Sequence, residues 1–275
     1  TDDRLNEIRD VTKTLALSLG VVGLINIQFA IAEDNLYVLE VNPRASRTVP
    51  FLAKATGQPL AKIATRLMLG ESLGSLKLET DLEVDRYFVK TPVFPFAKFP
   101  DSDPIASVEM RSTGEVMGNA KSLGMAFLKA QLAAGISLPK AGKVLLTVNK
   151  RDHKSVISIA QKLGGLGFKL LATRGTALAL AAEGLEVEEV KKYGQGSPNC
   201  VDAVRNGEIA LIINTPLGSE SYRDGVSLRK TALAQQVPLV TTLSAASAVA
   251  EAIEVAQGGQ PIETTCLQEL HQDLT

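Results

Sequence analysis

The sequence predicts an α/β fold whose C-terminal half is a doubly wound parallel sheet of five strands. From Ala141 onward, strand-like and helix-like segments alternate regularly. Strands such as Ile209–Ile213 are almost continuously apolar, which indicates burial on both faces and therefore a parallel sheet. A length of 275 residues predicts two domains. We place them at residues 1–140 and 141–275, with the boundary in a linker that contains Pro139.

The first domain is predicted to begin with a helix over residues 2–19, which ends at Gly20. Two strand-like runs, Val21–Ala32 and Leu36–Val41, flank Glu33-Asp34-Asn35 and predict a hairpin with a three-residue loop. The remaining expectations are a helix over residues 51–70, an ordered irregular stretch over Thr91–Pro104, a strand over residues 112–118 and a helix over Leu123–Ala134.

The second domain is predicted to contain five strands: Lys143–Val148, Phe168–Ala172, Leu185–Val190, Ile209–Ile213 and Pro238–Thr242. The helices expected between and after them are Lys154–Leu163, Ala177–Ala182, Val201–Val204, Ser227–Gln235 and Ala245–Ala256.

Composition excludes several classes of protein. The 29 basic and 30 acidic residues argue against a chain that captures nucleic acid or a membrane by charge. Two histidines and two cysteines, far apart, argue against a zinc site or a disulfide framework. No secretory signal and no apolar run long enough to span a bilayer is visible, and unpaired thiols suit a reducing compartment. We therefore expect a cytoplasmic protein.

The predicted hairpin carries four polar residues on one face. If the loop is centred on Asp34, Gln28 lies opposite Glu40 and Asn26 lies opposite Asn42, with Ile25, Ile27, Phe29, Leu39 and Val41 on a core face. Opposite Cβ atoms are about 5 Å apart, close enough for a carboxylate and an amide oxygen to share a cation. Mg²⁺ prefers such hard oxygen ligands. The alternative is a strand that is simply half-exposed.

Two arginines follow the hairpin and favour the metal site. Arg44 and Arg47 come directly after Asn42-Pro43, and a guanidinium is a planar fork suited to phosphate oxygens. Metal ligands beside arginines are typical of phosphoryl transfer. For either arginine alone, a surface salt bridge is the simpler interpretation.

At these residues the chain resembles a known family. Leu39–Arg44 with the upstream Asn26–Phe29 looks like the end of an ATP-grasp domain. The longer stretches Glu40–Phe51, Lys54–Gly57 and Glu109–Gly118 resemble the second ATP-grasp half of the carbamoyl-phosphate synthase large subunit. The region after residue 141 resembles its C-terminal regulatory domain, which has a methylglyoxal-synthase-like fold.

The resemblance implies roles for the first domain. Gln28, Glu40 and Asn42 would bind Mg²⁺ or Mn²⁺ with ATP, Gln28 and Glu40 also contacting the nucleotide, and K⁺ is a further expected ion. Arg44 and Arg47 would lie near the phosphate that passes to carbamate. The expected partners are the rest of the large subunit and a glutamine amidotransferase small subunit, in an oligomer of heterodimers that serves pyrimidine and arginine biosynthesis. The chain starts without Met, so we expect a C-terminal fragment that is inactive alone.

The second domain carries hydroxyl and amide side chains where its strands end. Thr173-Arg174-Gly175-Thr176, Asn214-Thr215 and Thr241-Thr242 each follow a predicted strand, at the sheet edge where such folds bind ligands. Each threonine could instead be an ordinary helix N-cap.

By resemblance this edge binds an effector nucleotide such as UMP or IMP, through Lys154, Thr173, Thr176, Lys192, Asn214 and Thr241. His153 stands where the family often has Lys, and Pro216 replaces a hydroxyl residue. Thr91 and Leu239 stand where bacterial members have a Glu and a Tyr for ornithine, so we expect nucleotide control rather than ornithine control.

Two other functions remain open at this point. One is a regulatory module that only senses nucleotides without catalysis. The other, ranked last, is a lyase like methylglyoxal synthase, for which Asp152 would be the sole acid at the end of the first strand of that domain.

Overall fold

The structure, a computed structural model, describes residues 2–76, 78, 84–95, 104, 111–217 and 219–272. The chain forms two compact units. One contains residues 1–84 and 264–275, and the other contains residues 85–263. The sequence predicts a domain boundary near residue 140. The division into compact units does not test that boundary, so it stays a prediction. Among the described residues, no helix is both long and apolar enough to cross a membrane.

The first unit is built on a helix and a hairpin. Helix α1 spans Asp2–Ser18, and the antiparallel strands β1 and β2 span Asn26–Ala32 and Asn35–Asn42. Further along the chain come α2 (Thr48–Thr56), α3 (Leu60–Met68) and a 3₁₀ turn at Leu73–Leu76. The single helix predicted over residues 51–70 is therefore wrong. Gly57 has a φ of 73°, which ends α2, and Pro59 follows before α3 begins.

The hairpin turn is shorter than predicted. Ala32 pairs with Asn35, so the loop has two residues, Glu33 and Asp34, both in the left-handed region at φ 48° and 64°. The predicted three-residue loop is therefore wrong. Leu39 forms a bulge between the pairs Phe29–Val38 and Gln28–Glu40, and beyond it the pairing agrees with the prediction. At the bulge Leu39 is 65 % exposed, which corrects its assignment to a core face.

The C-terminal residues complete the first unit. Helix α10 spans Leu267–Gln272, and its Leu270 side chain is fully buried. Nε2 of His271 in this helix lies 2.9 Å from the carbonyl oxygen of Lys54. Helix α10 is therefore packed against α2.

The second unit starts with a small antiparallel sheet. Strand β3 (Tyr87–Val93) pairs with β4 (Gly114–Ala120), and α4 follows over Leu123–Ala133. Thr91 to Val93 thus belong to a strand, which corrects their assignment to an irregular stretch. Residues 96–103 of that stretch, and Glu109 with Met110 of the third resembling stretch, lie outside the described residues.

The predicted five-stranded parallel sheet is confirmed. Its strands run in the order β7-β6-β5-β8-β9, all parallel. They are β5 (Lys143–Val148), β6 (Lys169–Thr173), β7 (Glu188–Val190), β8 (Ile209–Thr215) and β9 (Leu239–Val240). The helices are α5 (His153–Gly165), α6 (Arg174–Ala182), α7 (Cys200–Arg205), α8 (Ser219–Ala234) and α9 (Leu243–Gln257).

Helices cover both faces of this sheet. On β5, Val144 and Leu146 face a core shared with α5, α6 and α9, whereas Leu145 faces a core shared with α7 and α8. All three side chains are fully buried. Since successive strand residues point to opposite faces, the continuous apolar run follows directly from this two-sided burial.

Candidate functional site

The open end of the hairpin brings the predicted metal ligands together. Gln28 lies directly opposite Glu40, and Asn26 opposite Asn42, in the register of β1 and β2. Nδ2 of Asn42 donates to Oε1 of Glu40 at 2.6 Å. Both Gln28 and Glu40 are exposed. A carboxylate and amide groups therefore share one exposed face at the end of the hairpin.

Arg44 extends this cluster beyond the strand. Its Nη2 donates to Oδ1 of Asn42 at 3.3 Å, and its Nη1 donates to the carbonyl of Ala45 at 3.2 Å. A tight turn holds it there, since the backbone N–H of Arg44 donates to the carbonyl oxygen of Asn42 at 2.8 Å. The result is a row of carboxylate, amide and guanidinium in which each group bonds to the next.

Arg47 occupies the N-cap position of α2, with φ −61° and ψ −18°, and it is exposed. Next to it the hydroxyl of Ser46 accepts a bond from the N–H of Thr48 at 3.2 Å, which fixes the start of the helix. Both predicted arginines therefore follow the hairpin on a short ordered segment.

The donor set of this cluster suits a hard cation. Gln28, Glu40 and Asn42 offer amide and carboxylate oxygens, the ligand types that Mg²⁺ and Mn²⁺ prefer. The Asn42 oxygen has a second lone pair besides the one that Arg44 uses. Within the described part of the chain, no group of three or more His, Cys, Asp and Glu side chains could hold a metal, so a site of this kind depends on amides.

A second polar cluster lies at the carboxyl edge of the parallel sheet. The hydroxyl of Thr173 bonds to that of Thr147 at 3.3 Å, and Oγ1 of Thr176 accepts from the N–H of Val148 at 3.2 Å. Nδ2 of Asn214 donates to the carbonyl of Thr147 at 3.2 Å. Three predicted effector residues thus converge around the end of β5, and all three are buried.

The geometry separates two kinds of threonine. Thr173 stands at the N-cap position of α6, yet its side chain makes no capping bond. Thr242, in contrast, is an ordinary N-cap of α9 and accepts from the N–H of Ala245 at 3.3 Å. The simple capping interpretation therefore holds for Thr242 and is wrong for Thr173.

The two predicted lysines lie on segments that follow strands of the same sheet. Lys154 is exposed in the first turn of α5, and Lys192 is exposed just after β7. The backbone N–H of Lys192 donates to Oε1 of Gln195 at 3.1 Å. As far as the structure describes the chain, neither lysine side chain is hydrogen-bonded to the threonines.

Thr241 lies elsewhere, on the wall of a cavity of about 650 Å³. Thr91 and Leu239 line the same cavity, so the structure brings Thr241 together with the two positions singled out for ornithine. No carboxylate occurs among the described lining residues. Arg229 lines it as well and connects it to the polar cluster, because its Nη1 donates to Oδ1 of Asn214 at 3.2 Å.

Sequence reasoning missed Arg229 and Asn149. Asn149 follows β5 and donates to Oδ2 of Asp152 at 2.6 Å and to Oγ1 of Thr215 at 3.1 Å. Its position just after a strand end was a usable signal, like that of Asn214. Arg229 gave no such signal, because only the tertiary fold carries its side chain from the middle of α8 to the strand end.

Comparison with known proteins links both clusters to one kind of protein. The family described as "Carbamoyl-phosphate synthase L chain, ATP binding domain" matches residues 1–76, and the "MGS-like domain" family matches residues 155–241. The carbamoyl phosphate synthase large chain of Acidobacterium capsulatum is 49 % identical over 273 residues, which are 97 % of this chain and 25 % of that protein.

Other relatives agree. The large chain of Pasteurella multocida is 50 % identical over 270 residues, 98 % of this chain and 25 % of that protein. A protein of Methanopyrus kandleri named as the C-terminal section of this large chain is 46 % identical over 273 residues, 96 % of this chain and 50 % of that protein. The chain thus spans about a quarter of the length of its full-length relatives.

Proposed function

The chain belongs to the family of the carbamoyl phosphate synthase large chain, whose C-terminal section it matches, and we propose that it works as part of an ATP-dependent ligase that makes carbamoyl phosphate. The observation that carries this proposal is the row formed by Glu40, Asn42 and Arg44, with Gln28 opposite Glu40. In this proposal a carbamate oxygen attacks the γ-phosphorus of ATP, and ADP leaves.

The residues of the row and their neighbours Gln28 and Arg47 have distinct roles in the proposal. Gln28, Glu40 and Asn42 would hold Mg²⁺ or Mn²⁺, which neutralises the phosphate oxygens of ATP when it is bound. Arg44 and Arg47 orient the phosphoryl group that moves, since a guanidinium fork matches phosphate oxygens. K⁺ is a further ion of the site. These groups position the phosphoryl group and neutralise the charge of the phosphate oxygens, and this chemistry needs no histidine or cysteine.

The second unit is proposed to bind a nucleotide effector such as UMP or IMP at the sheet edge. The buried hydroxyls of Thr173 and Thr176 and the amide of Asn214 would contact phosphate and ribose oxygens near the N-terminus of α6. Lys154 and Lys192, which follow β5 and β7 in the chain, would add positive charge. Thr91 and Leu239 line the Thr241 cavity at the positions where the resemblance implies a Glu and a Tyr for ornithine, and we propose nucleotide control rather than ornithine control.

The proposed partners follow from the same family. They are the rest of the large subunit and a glutamine amidotransferase small subunit, assembled as heterodimers that can oligomerise. Ammonia from glutamine, bicarbonate and ATP are the proposed substrates, in a cytoplasmic enzyme that supplies pyrimidine and arginine biosynthesis.

The test is Glu40→Gln in the full chain with its partner subunit. The change keeps the shape of the side chain and removes a negative charge from the metal site, so we expect carbamoyl phosphate formation to fall at least a hundredfold. The reverse step, ATP formation from ADP and carbamoyl phosphate, isolates the carbamate reaction and falls with it.

The matched control is Glu33→Gln in the exposed turn of the same hairpin, which leaves both rates unchanged. Unchanged rates in Glu40→Gln would refute the metal assignment. A full chain that binds UMP yet forms no carbamoyl phosphate would instead identify a nucleotide sensor without catalysis.

A further inference from the structure

Arg229 on α8 is the largest fully buried side chain among the described residues. Burying a guanidinium costs free energy unless its N–H groups find acceptors. One acceptor is Oδ1 of Asn214, at 3.2 Å from Nη1. A permanent cation is thereby placed directly beneath a residue of the proposed nucleotide site.

Gly225 makes room for this guanidinium. It lies one helical turn before Arg229, and side chains of a helix lean toward its N-terminus. A Cβ at position 225 would lie 2.2 Å from Nη1 of Arg229 and 3.3 Å from Oδ1 of Asn214. Glycine inside a helix is less stable than alanine by about 1 kcal/mol. The space above Gly225 is therefore used by the contact between Arg229 and Asn214.

This contact fixes the direction of the Asn214 amide. A guanidinium only donates hydrogen bonds, so it must face the amide oxygen. The amide nitrogen is consequently turned the other way, where it donates to the carbonyl of Thr147 at 3.2 Å. The hydroxyls of Thr147 and Thr173 meet at this same strand end. Arg229 thus determines which end of Asn214 faces the hydroxyl cluster.

We propose that Arg229 is a positioning residue of the effector site: through Asn214 it keeps the amide nitrogen turned toward the end of β5, where one N–H donates to the Thr147 carbonyl and the other is directed at the phosphate or ribose oxygens of a nucleoside monophosphate. This inference rests on the effector role proposed above. Arg229 is fully buried and does not touch the ligand, so its influence passes through Asn214 and through the positive charge that it holds below the site.

The test is Gly225→Ala in the full chain with its partner subunit. The added methyl displaces the guanidinium of Arg229 from Asn214, although neither of these two residues is itself substituted. We expect the UMP dissociation constant, measured by calorimetry, to rise about tenfold. In an Asn214→Ala background the same change has no further effect, which a purely structural role would not produce. Gly164→Ala in α5, where a Cβ meets nothing within 4 Å, is the control and leaves UMP binding unchanged.

Arg229→Lys gives a second version of the same cycle if the Gly225 variant does not fold. It keeps the charge but not the planar fork, so we expect the UMP dissociation constant to rise about tenfold in the otherwise unmodified chain and not to rise further in the Asn214→Ala background. Equal weakening with and without Asn214 would overturn the positioning role, as would unchanged affinity in both variants. If the unmodified full chain binds neither UMP nor IMP, the effector role itself fails and this inference fails with it.

Discussion

Nδ2 of Asn42 donates to Oε1 of Glu40 at 2.6 Å, and the two residues lie two positions apart on the same strand. Residues at i and i+2 share a face of a strand, so the pairing follows from the pleat. It holds a carboxylate and an amide together before any cation arrives. Because folding already orders these two ligands, cation binding loses less conformational entropy.

Arg44→Lys tests the end of this row. Lysine keeps the positive charge but has a single nitrogen, so it lacks the rigid planar fork whose two nitrogens bond separately to the Asn42 oxygen and the Ala45 carbonyl. We expect kcat for ATP formation from ADP and carbamoyl phosphate to fall by about ten- to a hundredfold. Arg9→Lys on α1, where the guanidinium bonds to Asn6, is the matched control and keeps its rate. Equal rates in both variants would contradict the proposed role of Arg44.

Thr173→Val tests the effector site, because valine keeps the shape of threonine and removes its hydroxyl. We expect UMP affinity, measured by calorimetry, to fall about tenfold, the loss of one hydrogen bond to a charged group. Thr242→Val removes a helix cap, which costs about 1 kcal/mol of stability, and leaves UMP affinity unchanged. A weaker affinity in Thr242→Val than in Thr173→Val would place the site elsewhere.

Gly118→Ala tests the packing of β4 on α4. A Cβ at this position would lie 2.1 Å from the carbonyl oxygen of Ala126 and 2.6 Å from the nitrogen of Ala130, so the strand and helix must move apart. Overpacking of this kind costs about 1–3 kcal/mol, and we expect a lower midpoint of thermal unfolding. Gly114→Ala in the same strand meets nothing within 4 Å and keeps the midpoint. Equal midpoints would show that β4 and α4 do not approach so closely.

The two cysteines are expected to differ in reactivity. Cys200 is buried, and burial raises the pKa of its thiol, so less of it is the reactive thiolate at any given pH. Cys266 is exposed. We expect iodoacetamide at pH 8 to label Cys266 at least tenfold faster, as measured by mass spectrometry of the two peptides. In guanidinium chloride the difference disappears, and equal labelling of the folded protein would contradict the buried position of Cys200.

Periodicity and strand composition predicted most of the second unit. The bounds of β5 agree with the prediction to the residue, because its run Val144–Leu146 is apolar, as expected of a parallel strand that is buried on both faces, and polar residues follow Val148. Strand β3 was missed, since Pro92 lies inside it and its partner β4 starts more than twenty residues later. Pairing over such a distance leaves no local pattern.

The residues of the candidate sites also divide into those that the sequence could predict and those that it could not. Gln28, Glu40, Asn42 and Arg44 were predictable, because a hairpin turns local sequence into spatial proximity. Asn214 and Thr173 were predictable as strand ends of one parallel sheet. Arg229 was not, because its role depends on a contact fifteen residues away in sequence and on the space above Gly225.

The bulge at Leu39 bears on how relatives of this hairpin should be aligned. A two-residue turn with one extra residue at position 39 gives the same pairing of Gln28 with Glu40 as a three-residue turn and a regular strand would. Because Leu39 is the unpaired residue, a relative that lacks it can still keep Glu40 opposite Gln28 on a regular strand. A one-residue gap at this position of an alignment is therefore compatible with an intact cluster of Gln28, Glu40 and Asn42.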